Sequence, residues 1–144
     1  MIQNWDGGNM LATMDVDKSQ TSSYGIISPG RILGNKMEVK SIVEKPKPEQ
    51  APSTIAVVGR YIIESGVFKH LELQNKGADD EIQLTDSLSH EIGKVPFFAF
   101  NFSGTRYDCG TKLGYIKANT KYALKNEYIG EEYKKWLNII IKDN

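Results

Sequence analysis

An α/β domain with a mixed β-sheet flanked by helices is the fold class this sequence predicts. Three observations carry that expectation. Residues 54–63 are almost continuously apolar, as in a strand covered on both faces. Shorter strand-like runs, punctuated by turn residues, precede it. The C-terminal stretch repeats apolar residues at helical spacing.

Taken in order, Met10 to Val16 and Tyr24 to Ser28 read as short strands, the second closed by Pro29-Gly30. A hairpin-like turn at Gly34-Asn35 leads into a strand from Met37 to Lys45, with Val39, Ser41 and Val43 on one face. Pro46 and Pro48 stop it, and a residue before proline is normally held extended, so Lys45 is expected in β geometry. The apolar run 54–63 then forms the expected sheet centre. Ser65 is placed to cap a short helix carrying Val67, Phe68 and Leu71, with Gly77 beyond its end. Thr85 is placed to cap a second, carrying Leu88 and Ile92 and followed by Gly93. Phe98, Phe100 and Phe102 alternate along the next strand, 96–102, which turns at Ser103-Gly104 and continues through Arg106 to Cys109. Gly110-Thr111 opens a helix with Leu113, Ile116, Thr120, Ala123 and Leu124 on one side. Gly130 separates it from an amphipathic helix, 130–144, with Tyr133, Trp136, Leu137, Ile140 and Ile141 at i, i+3, i+4, i+7 and i+8. All 144 residues are expected to form one domain.

Composition narrows the chemistry. The 18 Lys and Arg balance 18 Asp and Glu, which argues against a duplex nucleic-acid partner, because neutralising many phosphates needs a basic surplus. A single Cys excludes an internal disulfide framework and a Cys-based zinc cluster. No run approaches the ~18 apolar residues of a membrane helix and the first residues carry no apolar leader, so a cytoplasmic chain without a membrane partner is expected.

Two constellations could carry chemistry. Glu44-Lys45-Pro46 pairs a carboxylate, able to accept from two vicinal hydroxyls, with an ammonium able to neutralise phosphate. Together they suit a sugar phosphate, although a solvated charge pair ending a strand has the same pattern. Asp108 precedes the Gly110-Thr111 helix start, where a carboxylate can bind a hard cation such as Mg²⁺ or simply satisfy turn donors. Gly104 to Lys112 fails the P-loop spacing, and Asp79-Asp80-Glu81 lacks the alternation of a calcium loop. His70 and His90 have no partner at i+4, and Cys109 reads as a packed strand residue.

With these residues identified, the chain resembles the C-terminal half of the bacterial UTP–glucose-1-phosphate uridylyltransferase (UDP-glucose pyrophosphorylase) family, from about Met10 to Trp136. The markers are Tyr24-Gly25, Val43-Glu44-Lys45-Pro46, Ala51-Pro52-Ser53, Val57-Val58-Gly59-Arg60-Tyr61, the run Asp80 to Asp86, and the run Tyr107 to Tyr115. The resemblance implies the C-terminal part of a Rossmann-like nucleotidyltransferase fold. It implies that Gly25 lets the backbone approach a sugar nucleotide, that Glu44 holds glucose hydroxyls and that Lys45 meets the phosphates. Asp108 matches the family's second Mg²⁺ carboxylate, and Gly59 with Arg60 its pocket floor. Lys45 and Asp108 are thus the catalytic candidates, with glucose 1-phosphate, UTP and UDP-glucose as ligands.

The family's opening G-x-G-T-R loop and its first metal carboxylate have no counterpart in these residues. The expectation is therefore a truncated enzyme keeping the sugar-phosphate side of the site, inactive alone. It should have an unpaired sheet edge that favours a homo-oligomer or pairing with an N-terminal half. Two non-catalytic alternatives stand beside it: a sugar-nucleotide-binding module, and an oligomerisation module using the Trp136 helix.

Overall fold

The computed structural model describes residues 1–73 and 82–142, so Gly77 and Asp79-Asp80-Glu81 lie outside the described residues. The chain divides into two compact units, 1–102 and 103–144.

The first unit is built on five strands: β1 (Asn9–Asp15), β2 (Gly25–Leu33), β3 (Lys36–Glu44), β4 (Ile55–Ile62) and β5 (Phe97–Asn101). They run in the order β1-β4-β2-β3-β5 and close into a barrel, because β1 pairs in parallel with β5 while the other pairings are antiparallel. The mixed sheet is as expected, whereas the expected free edge is absent from the closed barrel. Closure removes the unpaired strand that was the reason to expect edge-to-edge association. Its weakest seam joins β2 to β4 through the single pair Ile26 and Ala56.

Leu11, Ile27, Val39, Ile42, Val57, Phe97 and Ala99 from the strands meet Val67 and Leu88 from two helices in one core. Full burial of each larger side chain contributes roughly 1.5–3 kcal/mol. The helices are α1 (Gly66–Leu73) and α2 (Leu84–Ser89). Val67 anchors α1 while Phe68 is turned out, against expectation. Gln83, not Thr85, occupies the cap of α2, which leaves the Thr85 hydroxyl for another partner.

Three breaks in the strand periodicity matter. β2 continues through Pro29-Gly30 instead of ending there, since Pro29 sits where the β2–β3 ladder slips by one residue. Lys40 is the extra residue on β3, and it resets the alternation: Val39 and Ile42 are buried, whereas Val43, expected beside Val39, is exposed. On β4, Val58-Gly59-Arg60 oppose Ala12 alone, between the pairs Leu11 with Tyr61 and Thr13 with Val57. Gly59 carries the bulge with φ +73°, a backbone state disfavoured for side-chain-bearing residues. Beyond Val57 the strand turns outward, so only its first half is the covered strand that its apolar run predicts. On β5, Phe97 and Ala99 face the core rather than Phe98 and Phe100, because Ala99 lies opposite core-facing Leu11 in the β1 ladder. Phe98 instead packs under Lys36, whose Nζ stands 4.6 Å from the ring centroid.

In the second unit, Arg106 to Cys109 form no strand; they lead through a turn into α3 (Lys112–Lys125), and Cys109 is exposed rather than packed. Thr111 caps α3, its Oγ1 accepting from the Gly114 N–H at 3.1 Å. Asn126 ends α3, and its Oδ1 accepts from the Tyr128 and Ile129 N–H groups to turn the chain into α4 (Gly130–Lys142). Thr120 and Tyr133 hydroxyls meet across the two helices at 3.4 Å. No helix among the described residues is long and apolar enough to cross a membrane.

Candidate functional site

The end of β3 gathers most of the sequence-predicted residues. Glu44 is the last residue of β3 and lies opposite Gly25, the first of β2. The Lys45 N–H continues the ladder by donating to the Tyr24 carbonyl at 3.0 Å. Lys45 has φ +43°, so the β geometry expected before Pro46 is not adopted. It is the one described residue other than glycine in the left-handed region, where a Cβ costs roughly 1–2 kcal/mol. Backbone strain of this kind clusters where a side chain must be aimed for a task. Here the left-handed residue directly follows Glu44 at the end of β3.

Glu44 itself is held from outside the strand. The Thr85 Oγ1 hydroxyl of α2 donates to Glu44 Oε2 at 2.5 Å across 41 residues of sequence. Gly25 makes room for that contact: a Cβ there would stand 3.1 Å from Glu44 Oε2 and 3.5 Å from Thr85 Oγ1. With one oxygen held by Thr85, a half-buried carboxylate retains acceptor capacity on the other. The Tyr61 phenol is part of the same surroundings. Burial pushes its pKa up, and the negative charge of Glu44 adds to the effect. Tyr61 is therefore a neutral hydroxyl donor at physiological pH, near a carboxylate acceptor.

Gly59 and Arg60 occupy the β4 bulge immediately before Tyr61, and both are exposed. A Cβ on Gly59 would meet open space, so what requires glycine there is the backbone angle and not a close packing contact. Sequence reasoning gave Tyr61 no role and gave Thr85 none in a site, although both fall inside the quoted markers. Thr85 was read only as a helix cap.

Asp108 belongs to the second unit and is exposed at the turn before α3. Its Oδ1 accepts from the Gly110 N–H at 3.1 Å and its carbonyl accepts from the Thr111 hydroxyl at 3.0 Å. The turn-donor alternative is thus realised, and the rest of the exposed carboxylate faces solvent. Among the described residues no three His, Cys, Asp or Glu side chains converge on a cation position. The fit to Mg²⁺ is that of a single carboxylate, which suffices only where substrate phosphates and water complete the shell. His70 and His90, expected to be isolated, stack at 5.0 Å, and His70 Nε2 lies 2.8 Å from Oε1 of buried Glu91, an arrangement that ties α1 to the turn after α2.

Gly25, Glu44 and Lys45 thus meet where β2 begins and β3 ends. The sequence profile of the nucleotidyl transferase family matches residues 3–125, and the chain belongs to that family. It is 44% identical over 127 residues to a UTP–glucose-1-phosphate uridylyltransferase of Komagataeibacter xylinus, covering 87% of this chain and 45% of that protein. With the enzyme of the same name from Staphylococcus haemolyticus it shares 43% identity over 131 residues, 91% of this chain and 46% of the relative. A crystal structure of UDP-glucose pyrophosphorylase complexed with UDP-glucose superposes with a TM-score of 0.77 at 38% identity, covering 83% of this chain and 45% of that one. The chain thus spans somewhat under half the length of the relatives it matches.

Proposed function

We propose that this chain supplies the sugar-phosphate side of a uridylyltransferase site, for the reaction of UTP and glucose 1-phosphate to UDP-glucose and pyrophosphate. The observation that carries the reading is the Thr85–Glu44 hydrogen bond beside Lys45 and opposite Gly25. It presents a fixed acceptor for sugar hydroxyls next to a cation for phosphate. The similarity to relatives bearing that name supports the choice of sugar nucleotide.

In this reading a phosphate oxygen of glucose 1-phosphate attacks the α-phosphorus of UTP. The new P–O bond forms as the bond to the β-phosphate bridging oxygen breaks, and pyrophosphate leaves with that electron pair. No covalent enzyme intermediate is needed, so the protein's task is positioning and charge neutralisation. Glu44 orients the hexose, Lys45 meets the phosphates, Gly25 admits the ligand to the backbone, and Gly59 with Arg60 borders the pocket. Asp108 is proposed as a Mg²⁺ ligand; bound there, the cation would neutralise phosphate charge. The phosphate cradle lies outside these residues, since no G-x-G-T-R run occurs in them. Isolated, the chain should bind without turning over.

Amide NMR of the 144-residue chain, titrated with UDP-glucose and Mg²⁺, tests this. Shifts centred on Gly25, Glu44 and Lys45, lost in Glu44→Gln, are expected. Dispersed spectra that ignore the ligand at millimolar concentration would refute it. Adding the N-terminal half of a related enzyme should restore UDP-glucose formation, whereas a purely non-catalytic binding module would stay inactive.

A further inference from the structure

β3 and β5 separate partway along the barrel wall. Their ladder ends at the pair Glu38 with Phe98, whereas β3 runs on to Glu44. The chain enters β5 through a turn after α2, in which Ile92 and Val95 are bridged. A cleft of about 480 Å³ lined by both strands and this turn opens to solvent, a size within the range of small-molecule sites. Ile92, Val95, Pro96 and Phe98 supply its apolar lining, and β3 contributes Glu38 and Lys40. The charges at its rim do not cancel. Arg31 donates to Glu38 from its guanidinium at 2.9 Å and from its backbone N–H at 3.4 Å, which holds the Glu38 carboxyl below the usual carboxylate range. The Lys40 charge acts on the same carboxylate, so two cations meet one anion and exposed Lys40 is the surplus.

We infer that this cleft binds a small organic anion with a flat apolar body, of the class of aromatic monocarboxylates. The rings of Phe98 and Pro96, with the Ile92 and Val95 side chains, offer apolar surface for the body of such a ligand. The Lys40 ammonium meets its carboxylate as a point charge. The same charge balance selects against other occupants. A cation is repelled by the surplus at the rim, and a polyphosphate needs several cations where the cleft has one in excess. A neutral ring system gains the apolar contacts alone and leaves the Lys40 charge unanswered.

Amide NMR of the full 144-residue chain, titrated with 2-naphthoate, tests the inference. Saturable shifts at Lys40, Ile92, Gly93, Val95 and Phe98 are expected, with a dissociation constant of about 1 mM for a ligand of this size. 2-Naphthamide, the same ring system without the charge, should bind about fivefold more weakly. Lys40→Glu should weaken 2-naphthoate by about fivefold while leaving 2-naphthamide unchanged, and Lys40→Arg should retain binding. Spectra that do not move, or that move without saturating, through about 5 mM ligand overturn the inference. Equal affinity for acid and amide overturns it too, as does a Lys40→Glu chain that binds 2-naphthoate like the parent. Should Lys40→Glu disturb the fold, the comparison of acid with amide on the parent chain still decides.

Discussion

The two carboxylates singled out from the sequence are positioned by different means. Glu44 is oriented by Thr85, 41 residues away, and by Gly25 across a strand pair, so its geometry exists only when the barrel is folded. Asp108 makes its contacts with Gly110 and Thr111, two and three residues on, and these form with any turn that enters α3. The difference teaches that one carboxylate can be set by tertiary packing and another by local chain geometry alone. Mutations should separate them.

The largest effect is expected from the barrel core. Leu11→Ala, at a fully buried position, should cost about 3 kcal/mol, read as a lower urea midpoint. The Thr85–Glu44 bond should go with it, while the Gly110 amide signal at the Asp108 turn should persist in the destabilised chain. Loss of both together would break the comparison.

Next is the clamp. Thr85→Val removes the donor from a half-buried carboxylate and should cost about 1–2 kcal/mol, with weaker UDP-glucose binding; Thr85→Ser should restore both. On the local side, Thr111→Ala deletes the α3 cap for about 1 kcal/mol, seen as lower helicity, and should leave the Glu44 region untouched.

Lys45→Gly should relieve the left-handed backbone and stabilise the fold by up to about 1 kcal/mol while weakening phosphate binding. A variant that neither stabilises nor loses binding would remove the strain from the site's design.

The smallest signal is a titration. Because Tyr61 has a raised folded-state pKa, its contribution to stability is complete below the ordinary tyrosine value near 10 and is lost as pH rises through the folded value. Ultraviolet titration should show one late-ionising phenol that is absent in Tyr61→Phe. Glu44→Gln should shift it down only slightly, since burial is the larger cause.

Much of this was legible in order and spacing. Strand starts, the Gly34-Asn35 hairpin, the Thr111 cap and the amphipathic last helix follow from local propensity and periodicity, which neighbouring residues decide. Glu44 and Lys45 stood out as a carboxylate and a lysine together at a strand end, but their roles and Gly25 came only from the family resemblance.

Facing and closure were decided elsewhere. Alternation alone set Val43 on the face of Val39, which the bulge at Lys40 undoes, and it left open which face of β5 is buried, which the parallel pairing with β1 decides. A one-residue slip turns every following side chain to the opposite face, and no local pattern records which partner strand will impose it. For the same reason Thr85 looked like a cap. Local sequence determined which residues this protein can bring to a strand end; only the closed barrel, by setting register and bringing α2 against β3, decided which oxygen holds which hydroxyl.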